Sequence, residues 1–345
     1  MKTLFISMAA LVGLASAAGA DTLPETQVNV IGNVSTTTQS ALLERPFWTQ
    51  KIQELSGGKV KTQFRTRNEM GLQGPETFGL LSDGVMDITN AALGHRSGAD
   101  PIADGNDLAG MTSNFDDFEA LSNAFQPVLS DYFKEKLGIR IIGLLSYQGQ
   151  VLYCRTDFNK LSDVSGLRVR TSGASQADFI SYLGGQPIDM AFGEVQQALE
   201  QGVIDCAITG TLSGYTSRWY EGAKTIFGMP INFGAQAYAA NDKWWESQDE
   251  AVRTFLTKEV DALVDEMWAL NRKENDEGLL CNSTGPCTLG EVGGLKLVEP
   301  SEADLALRQE AFEKGVLPKW FERCGDVCKT IYAETLAPAI GLKAN

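Results

Sequence analysis

The chain has 345 residues, 43% of them hydrophobic and 21% charged, an ordinary globular composition that excludes collagen-like and wholly disordered architectures. Acidic residues outnumber basic ones by 44 to 29, giving a formal charge of −15 and a pI near 4.6. Such a surface repels phosphate backbones and anionic lipid, which argues against nucleic acid as a partner. The single histidine leaves no multi-histidine metal centre, and no Ser-His-Asp triad unless His95 belongs to it. At roughly 100–200 residues per domain, the length fits two domains or one large one.

The N-terminus reads as an export signal. Met1-Lys2-Thr3 is a short basic start, Leu4 to Ala18 is apolar and small, and Ala18-Gly19-Ala20 is an A-x-A cleavage site. The expected mature chain begins at Asp21, in the periplasm. The apolar run is too short to span a bilayer comfortably, and no later window offers about 18 uninterrupted apolar residues.

Residues 26–34 alternate as a strand. Ser35 to Thr38 then open a helix that Ser56-Gly57-Gly58 ends near Leu55. Residues 59–65 alternate again, a helix covers about 74–81, and Met86 to Thr89 form a third strand. Helix is expected over 116–137, and the apolar run Ile139 to Leu145 reads as a buried strand. Strand-like 151–155 and 166–171, helical 175–183 and 192–202, and strands at 203–208 and 235–240 repeat the alternation. Long amphipathic helices close the chain at 249–277 and 301–321. Alternating strand and helix predict an α/β fold with largely parallel sheets. The expected organisation is a leader over 1–20, a first α/β lobe over 21–145 and a second over 146–235. The remainder, 236–345, supplies a crossing strand, long helices and a cysteine-bearing end. In two-lobed α/β folds of this kind, ligands sit in the cleft between the lobes.

Six cysteines suit an oxidising compartment and disulfides ahead of zinc, since zinc ribbons usually space their ligands C-x2-C. Cys281–Cys287 and Cys324–Cys328 are the simplest local bridges. Cys154 would then pair with Cys206, which requires their strands to lie side by side.

Residues 161–205 are the most distinctive. Leu161 to Arg170 reads L-S-D-V-S-G-L-R-V-R, Leu183 to Val195 reads L-G-G-Q-P-I-D-M-A-F-G-E-V, and Ala198 to Asp205 reads A-L-E-Q-G-V-I-D. Together with Trp219 to Lys224, and with Leu55 to Val60 and Leu81 to Asp87 upstream, these blocks resemble the solute-binding subunits of tripartite ATP-independent periplasmic (TRAP) transporters, the DctP-type family. The likeness covers nearly the whole mature chain, in order. It implies a two-lobed periplasmic solute-binding fold, an organic anion as ligand and membrane permease subunits as partners.

The resemblance assigns the carboxylate clamp to Arg170, whose planar fork of donors matches a carboxylate bidentately. It places Phe192 against an apolar ligand surface. Arg168, two residues back, is expected to be structural. Gln150 stands where many members carry a second arginine, and Thr209 near where they carry an asparagine. Asn33, at the end of the first strand, either faces the cleft or caps the next helix, and Asn90 follows the third strand in the same way. One cation with neutral helpers favours a monocarboxylate over succinate, fumarate or malate, unless Arg65, Arg67 or Arg96 reaches the cleft from the first lobe. The chain is expected to work as a monomer with no cofactor and no metal. No G-x-S-x-G, P-loop or H-E-x-x-H motif is present, so an enzyme on the same scaffold is the alternative. A ligand-presenting subunit for a sensor would use the same binding chemistry.

Overall fold

A computed structural model describes residues 23–342; the expected leader and its cleavage site lie outside them. Strands β1 (Thr26–Gly32), β2 (Val60–Thr66), β3 (Ile88–Ala92) and β4 (Ile139–Leu145) begin the first sheet. The chain then builds β5 (Gln150–Cys154), β6 (Arg168–Thr171), β7 (Gln186–Asp189), β8 (Cys206–Gly210) and β9 (Thr225–Asn232). It crosses back as β10 (Gln236–Asn241), and β11 (Lys296–Val298) returns to the second sheet. The orders are β2-β1-β3-β10-β4 and β11-β9-β5-β8-β6-β7, one sheet in each lobe.

The sheets are mixed, which corrects the expectation of largely parallel pairing. β1, β2 and β3 are parallel, but β10 runs antiparallel to both β3 and β4. β5 is likewise antiparallel to β8 and β9. The cause is the crossover: a strand entering from the other lobe arrives against the local direction. Cys154 stands opposite Cys206 in the β5–β8 register, and the bridges are Cys154–Cys206, Cys281–Cys287 and Cys324–Cys328.

Three strands escaped the sequence pattern. β7 holds Pro187 and survives because it lies at the sheet edge, where a missing N–H costs little. β9 contains Gly228 and Pro230, which disguise its alternation, and β11 has only 3 residues. The helical stretch expected over 35–55 forms as wide turns at Gln39–Glu44 and Phe47–Lys51, then Ile52–Leu55, with Pro46 between the first two.

The helix Phe115–Leu137 starts where Asn114 accepts the Asp117 amide at 2.9 Å and stops at Gly138, whose φ of 63° suits glycine. Glu250–Asn282 buries Val252, Leu256, Val260, Leu263 and Met267 along one face. This helix ties the lobes together. Trp268 donates to Leu144 O at 3.1 Å on the first sheet, and Asn282 donates to Thr211 O at 2.8 Å beyond the second. No helix among the described residues is long and apolar enough to cross a membrane.

Candidate functional site

The ends of β2, β3, β6 and β8 converge on a cleft between the sheets, as open α/β sheets place their ligands. Its inner cavity has about 440 Å³ of free space, part of it open to solvent. Arg170 lines it from β6 and is only 4% exposed. Two backbone carbonyls fix its guanidinium: Nε donates to Met190 O at 3.0 Å and Nη1 to Ile208 O at 2.9 Å. Nη2 keeps its donors free of protein acceptors among the described residues. The Trp219 ring lies 5.8 Å below the guanidinium, and Phe192 packs on Trp219 at 5.2 Å.

Arg67 enters the same cavity from the end of β2, 5% exposed. This corrects the count of one obligatory cation. Period-two alternation along β2 does not reveal it, because Arg67 lies one residue past the strand, where its amide bonds Gly32 O at 3.0 Å and the chain turns into the cleft. Arg67 Nη1 meets Nδ1 of His95 at 3.0 Å, so the imidazole serves as a neutral acceptor there. Burial, then the charges of Arg67 and Arg170, hold His95 well below the usual imidazole range. Burial and Arg67 likewise lower Arg170 to about 10. Gly74, at φ 128°, closes the pair from outside; a Cβ there would meet His95 at 2.5 Å and Arg67 Nη1 at 2.7 Å.

No carboxylate forms an ion pair with Arg67 or Arg170 among the described residues; the Coulombic influence of Asp189 on Arg170, and of Glu76 and Glu44 on Arg67, comes from beyond contact range. Two buried guanidiniums sharing a cavity without a protein anion make a strongly electropositive cleft. Its chemistry is capture of an anion by charge-assisted, planar hydrogen bonds.

Gln150, Thr209 and Phe192 also line the cavity, together with Tyr147, Ser172 and Ser213, which sequence reasoning passed over. Gln150 donates to Gln148 O at 2.9 Å. Asn33 does not line it. Its side chain is spent below, donating to Tyr147 and Gln236, while its Oδ1 accepts the Val34 amide at 2.7 Å. Asn33 therefore seats the Tyr147 phenol. Asn90 does not line it either: two residues short of the β3 end, it is buried opposite Tyr238, whose hydroxyl donates to Glu44 at 2.8 Å. Of the three first-lobe arginines considered, Arg65 and Arg96 stay out of the cavity, and Arg96 pairs with Asp100. Arg168 is structural, paired with Asp205 at 2.8 Å, and this hydrogen bond holds the Asp205 carboxyl below its usual range.

The lobes touch at the cleft rim. Thr36 and Ser217 hydroxyls lie 3.2 Å apart, Ala174 N donates to Ser97 Oγ at 3.1 Å, and Ala109 N donates to Ser175 Oγ at 2.6 Å. Among the described residues no group of three His, Cys, Asp or Glu side chains is placed to hold a metal.

Residues 31–316 match the family described as bacterial extracellular solute-binding protein, family 7 (DctP). The C4-dicarboxylate-binding periplasmic protein DctP of Rhodobacter capsulatus is 29% identical over 170 residues, 48% of this chain and 51% of that protein. The chain spans about half the length of the curated relatives it matches. Among solved structures, the Bordetella pertussis receptor DctP7, which binds pyroglutamic acid, superposes with a TM-score of 0.80 at 18% identity, covering 91% of this chain and 99% of that one. A Haemophilus influenzae TRAP solute-binding protein with bound L-gulonate gives 0.78 at 20% identity, with the same coverages. The chain belongs to family 7 of the bacterial extracellular solute-binding proteins, the DctP family.

Proposed function

We propose that this protein captures an organic acid outside the cytoplasm and delivers it to the permease subunits of a TRAP transporter. One ligand carboxylate is clamped by Arg170, with Arg67 as the second cation. The observation that carries this reading is the pair of buried guanidiniums facing one cavity without a protein carboxylate. Unpaired charges are costly to bury, so the empty cleft is held at a disadvantage that an incoming carboxylate relieves. Thr209 and Gln150 supply neutral polar contacts, and Phe192 covers an apolar part of the ligand. With Arg67 beside Arg170 the single-cation argument for a monocarboxylate falls, and the reading is an organic acid with at least one carboxylate. The names of relatives point both ways on this, since one binds C4-dicarboxylates and others bind pyroglutamate or a sugar acid. The cleft's two lobes close on the ligand as hinged bodies. Binding alone is the task; the ligand leaves chemically unchanged.

A thermal-shift screen of organic acids against neutral analogues tests the assignment. A ligand at 100 times its Kd adds about 2.7 kcal/mol of stability, so acids should raise Tm clearly and their neutral amides should not. Stabilisation by neutral solutes alone, or turnover of a stabilising acid on incubation, would overturn it.

A further inference from the structure

Beyond the arginines the cleft continues into a second chamber of about 390 Å³, which shares Ala92, Tyr147, Gln150 and Ser172 with the first. Its chemistry is the reverse. Asp104 and Asp107 line it from the short helical stretch Pro101–Asp107. Asp107 is fully engaged: Oδ1 accepts Phe233 N at 2.8 Å, and Oδ2 accepts Ala235 N at 2.9 Å and the Asn232 amide at 2.8 Å. Those bonds hold the segment that crosses between the lobes.

Asp104 is not so engaged. Its Oδ2 accepts one backbone amide, Ser175 N, at 3.2 Å, with the Ser97 hydroxyl as a further neighbour. Arg323, whose charge reaches it, pairs with Asp178 through Nη1 at 2.6 Å, keeps Nε and Nη2 without a hydrogen-bond partner, and makes no ion pair with Asp104 among the described residues. The residue is 5% exposed, facing a polar hollow. Burial, then the Asp107 charge, pushes its carboxyl up to about 7. Gln150 adds a second acceptor: one of its two amide N–H groups donates to Gln148 O, and its side-chain oxygen receives no protein donor among the described residues. A wall of acceptors disfavours another carboxylate, and an apolar tail would leave Asp104 buried without a partner.

We propose that the Asp104 chamber receives the far end of the acid held at Arg170, and that this end carries a hydrogen-bond donor, a hydroxyl or ammonium group. The proposal rests on the carboxylate reading of Arg170 and deepens it by fixing the ligand's second pole. The preferred solute is then a hydroxy or amino acid with its two poles on opposite sides of Tyr147.

The test uses the full mature chain and four series of linear acids, four to six carbons long, ending in methyl, hydroxyl, ammonium or carboxylate. Isothermal titration should show at least tenfold tighter binding of the hydroxyl- or ammonium-ended acid than of its methyl- and carboxylate-ended counterparts. Asp104→Asn keeps an acceptor for Ser175 N and should erase most of the preference for the ammonium end over the methyl end. Gln150→Leu, which leaves Asp104 untouched, should lower hydroxyl-ended affinity selectively. Equal or tighter binding of the methyl- or carboxylate-ended acids would overturn the proposal. So would a uniform loss across the series in Asp104→Asn, or failure of every donor-ended acid to bind. Arg170→Ala separates the two readings. If it still binds the acids, the carboxylate clamp fails. If it loses them while Asp104→Asn leaves the preferences unchanged, only the chamber fails.

Discussion

Arg67 donates to Nδ1 of His95 at 3.0 Å across the floor of the cleft, and this contact requires the histidine to stay uncharged. A protonated imidazole would present a third positive charge beside Arg67 and Arg170 and lose its acceptor. The lone histidine is therefore a clean reporter. Its ring ¹⁵N resonances should show a neutral ring with the proton on Nε2, and no titration near pH 6.5. The sign follows from linkage. The folded pKa lies below the unfolded value, so this group's stabilisation is present above about pH 6.5 and is lost as pH falls. A normal titration in the unliganded protein would contradict the contact.

Replacing Arg67 should affect binding and stability in opposite directions. Arg67→Met keeps much of the side-chain volume and removes one of two unpaired buried charges. The unliganded protein should gain roughly 1–3 kcal/mol in denaturant titrations, while affinity for its acid falls at least tenfold. Loss of both stability and affinity would mean that Arg67 is a structural residue.

The pattern of alternation, caps and glycines makes most of the frame legible in the sequence. Ile139–Leu145 reads as a strand because seven residues, nearly all apolar, are buried on both faces. The Cys154–Cys206 bridge followed from counting, and the register carries it. Arg170 was readable through its motif. Arg67 could be named only as one of three arginines able to reach the cleft, and His95 and Tyr147 could not be placed in it, because each lies just past a strand end, where no local period sets direction. Asn90 illustrates the converse: its type suits a cleft, yet two residues of β3 separate it from the sheet edge. The direction of β10 was hidden for the same reason, since antiparallel entry is a property of the crossover.

Asp104 gives a second, opposite pH signature. Its folded carboxyl titrates near 7 against about 4 when unfolded, so its contribution to stability is full below about pH 4 and is lost as pH rises through 7. Asp104→Asn removes this dependence. Relative to the parent, the variant should therefore gain roughly 2–3 kcal/mol between pH 5 and pH 8, at about 1.4 kcal/mol per pH unit crossed. Parallel stability curves for the two proteins across that range would show that Asp104 titrates normally.

The Cys154–Cys206 bridge closes a 52-residue separation inside the second lobe. Chain-entropy reasoning assigns such a loop about 4 kcal/mol at most. Replacing both cysteines with alanine should lower stability by about 2–4 kcal/mol and leave the affinity of the folded protein within threefold, because neither side chain lines the cavity. Loss of binding without loss of stability would place the bridge in the binding apparatus.

Gly94 lies where the lobes meet; a Cβ there would come within 3.2 Å of Ser172 O. Gly94→Val should hold the lobes apart. Small-angle scattering would then show a more open form with the acid present, affinity would fall about tenfold or more, and the melting temperature of the unliganded protein would change little. An unchanged scattering profile and affinity would remove lobe contact at Gly94 from the binding step.

The central claim is that the Arg170 guanidinium, fixed by Met190 O and Ile208 O, is what holds the ligand's carboxylate. Isothermal titration of Arg170→Ala and Arg170→Lys, using the acid that most stabilises the parent protein in the screen, tests it most directly. Arg170→Ala should bind at least a hundredfold more weakly, and Arg170→Lys should show a smaller but clear loss, because its ammonium cannot form the planar fork. Parent-like affinity in a folded Arg170→Ala protein would contradict it.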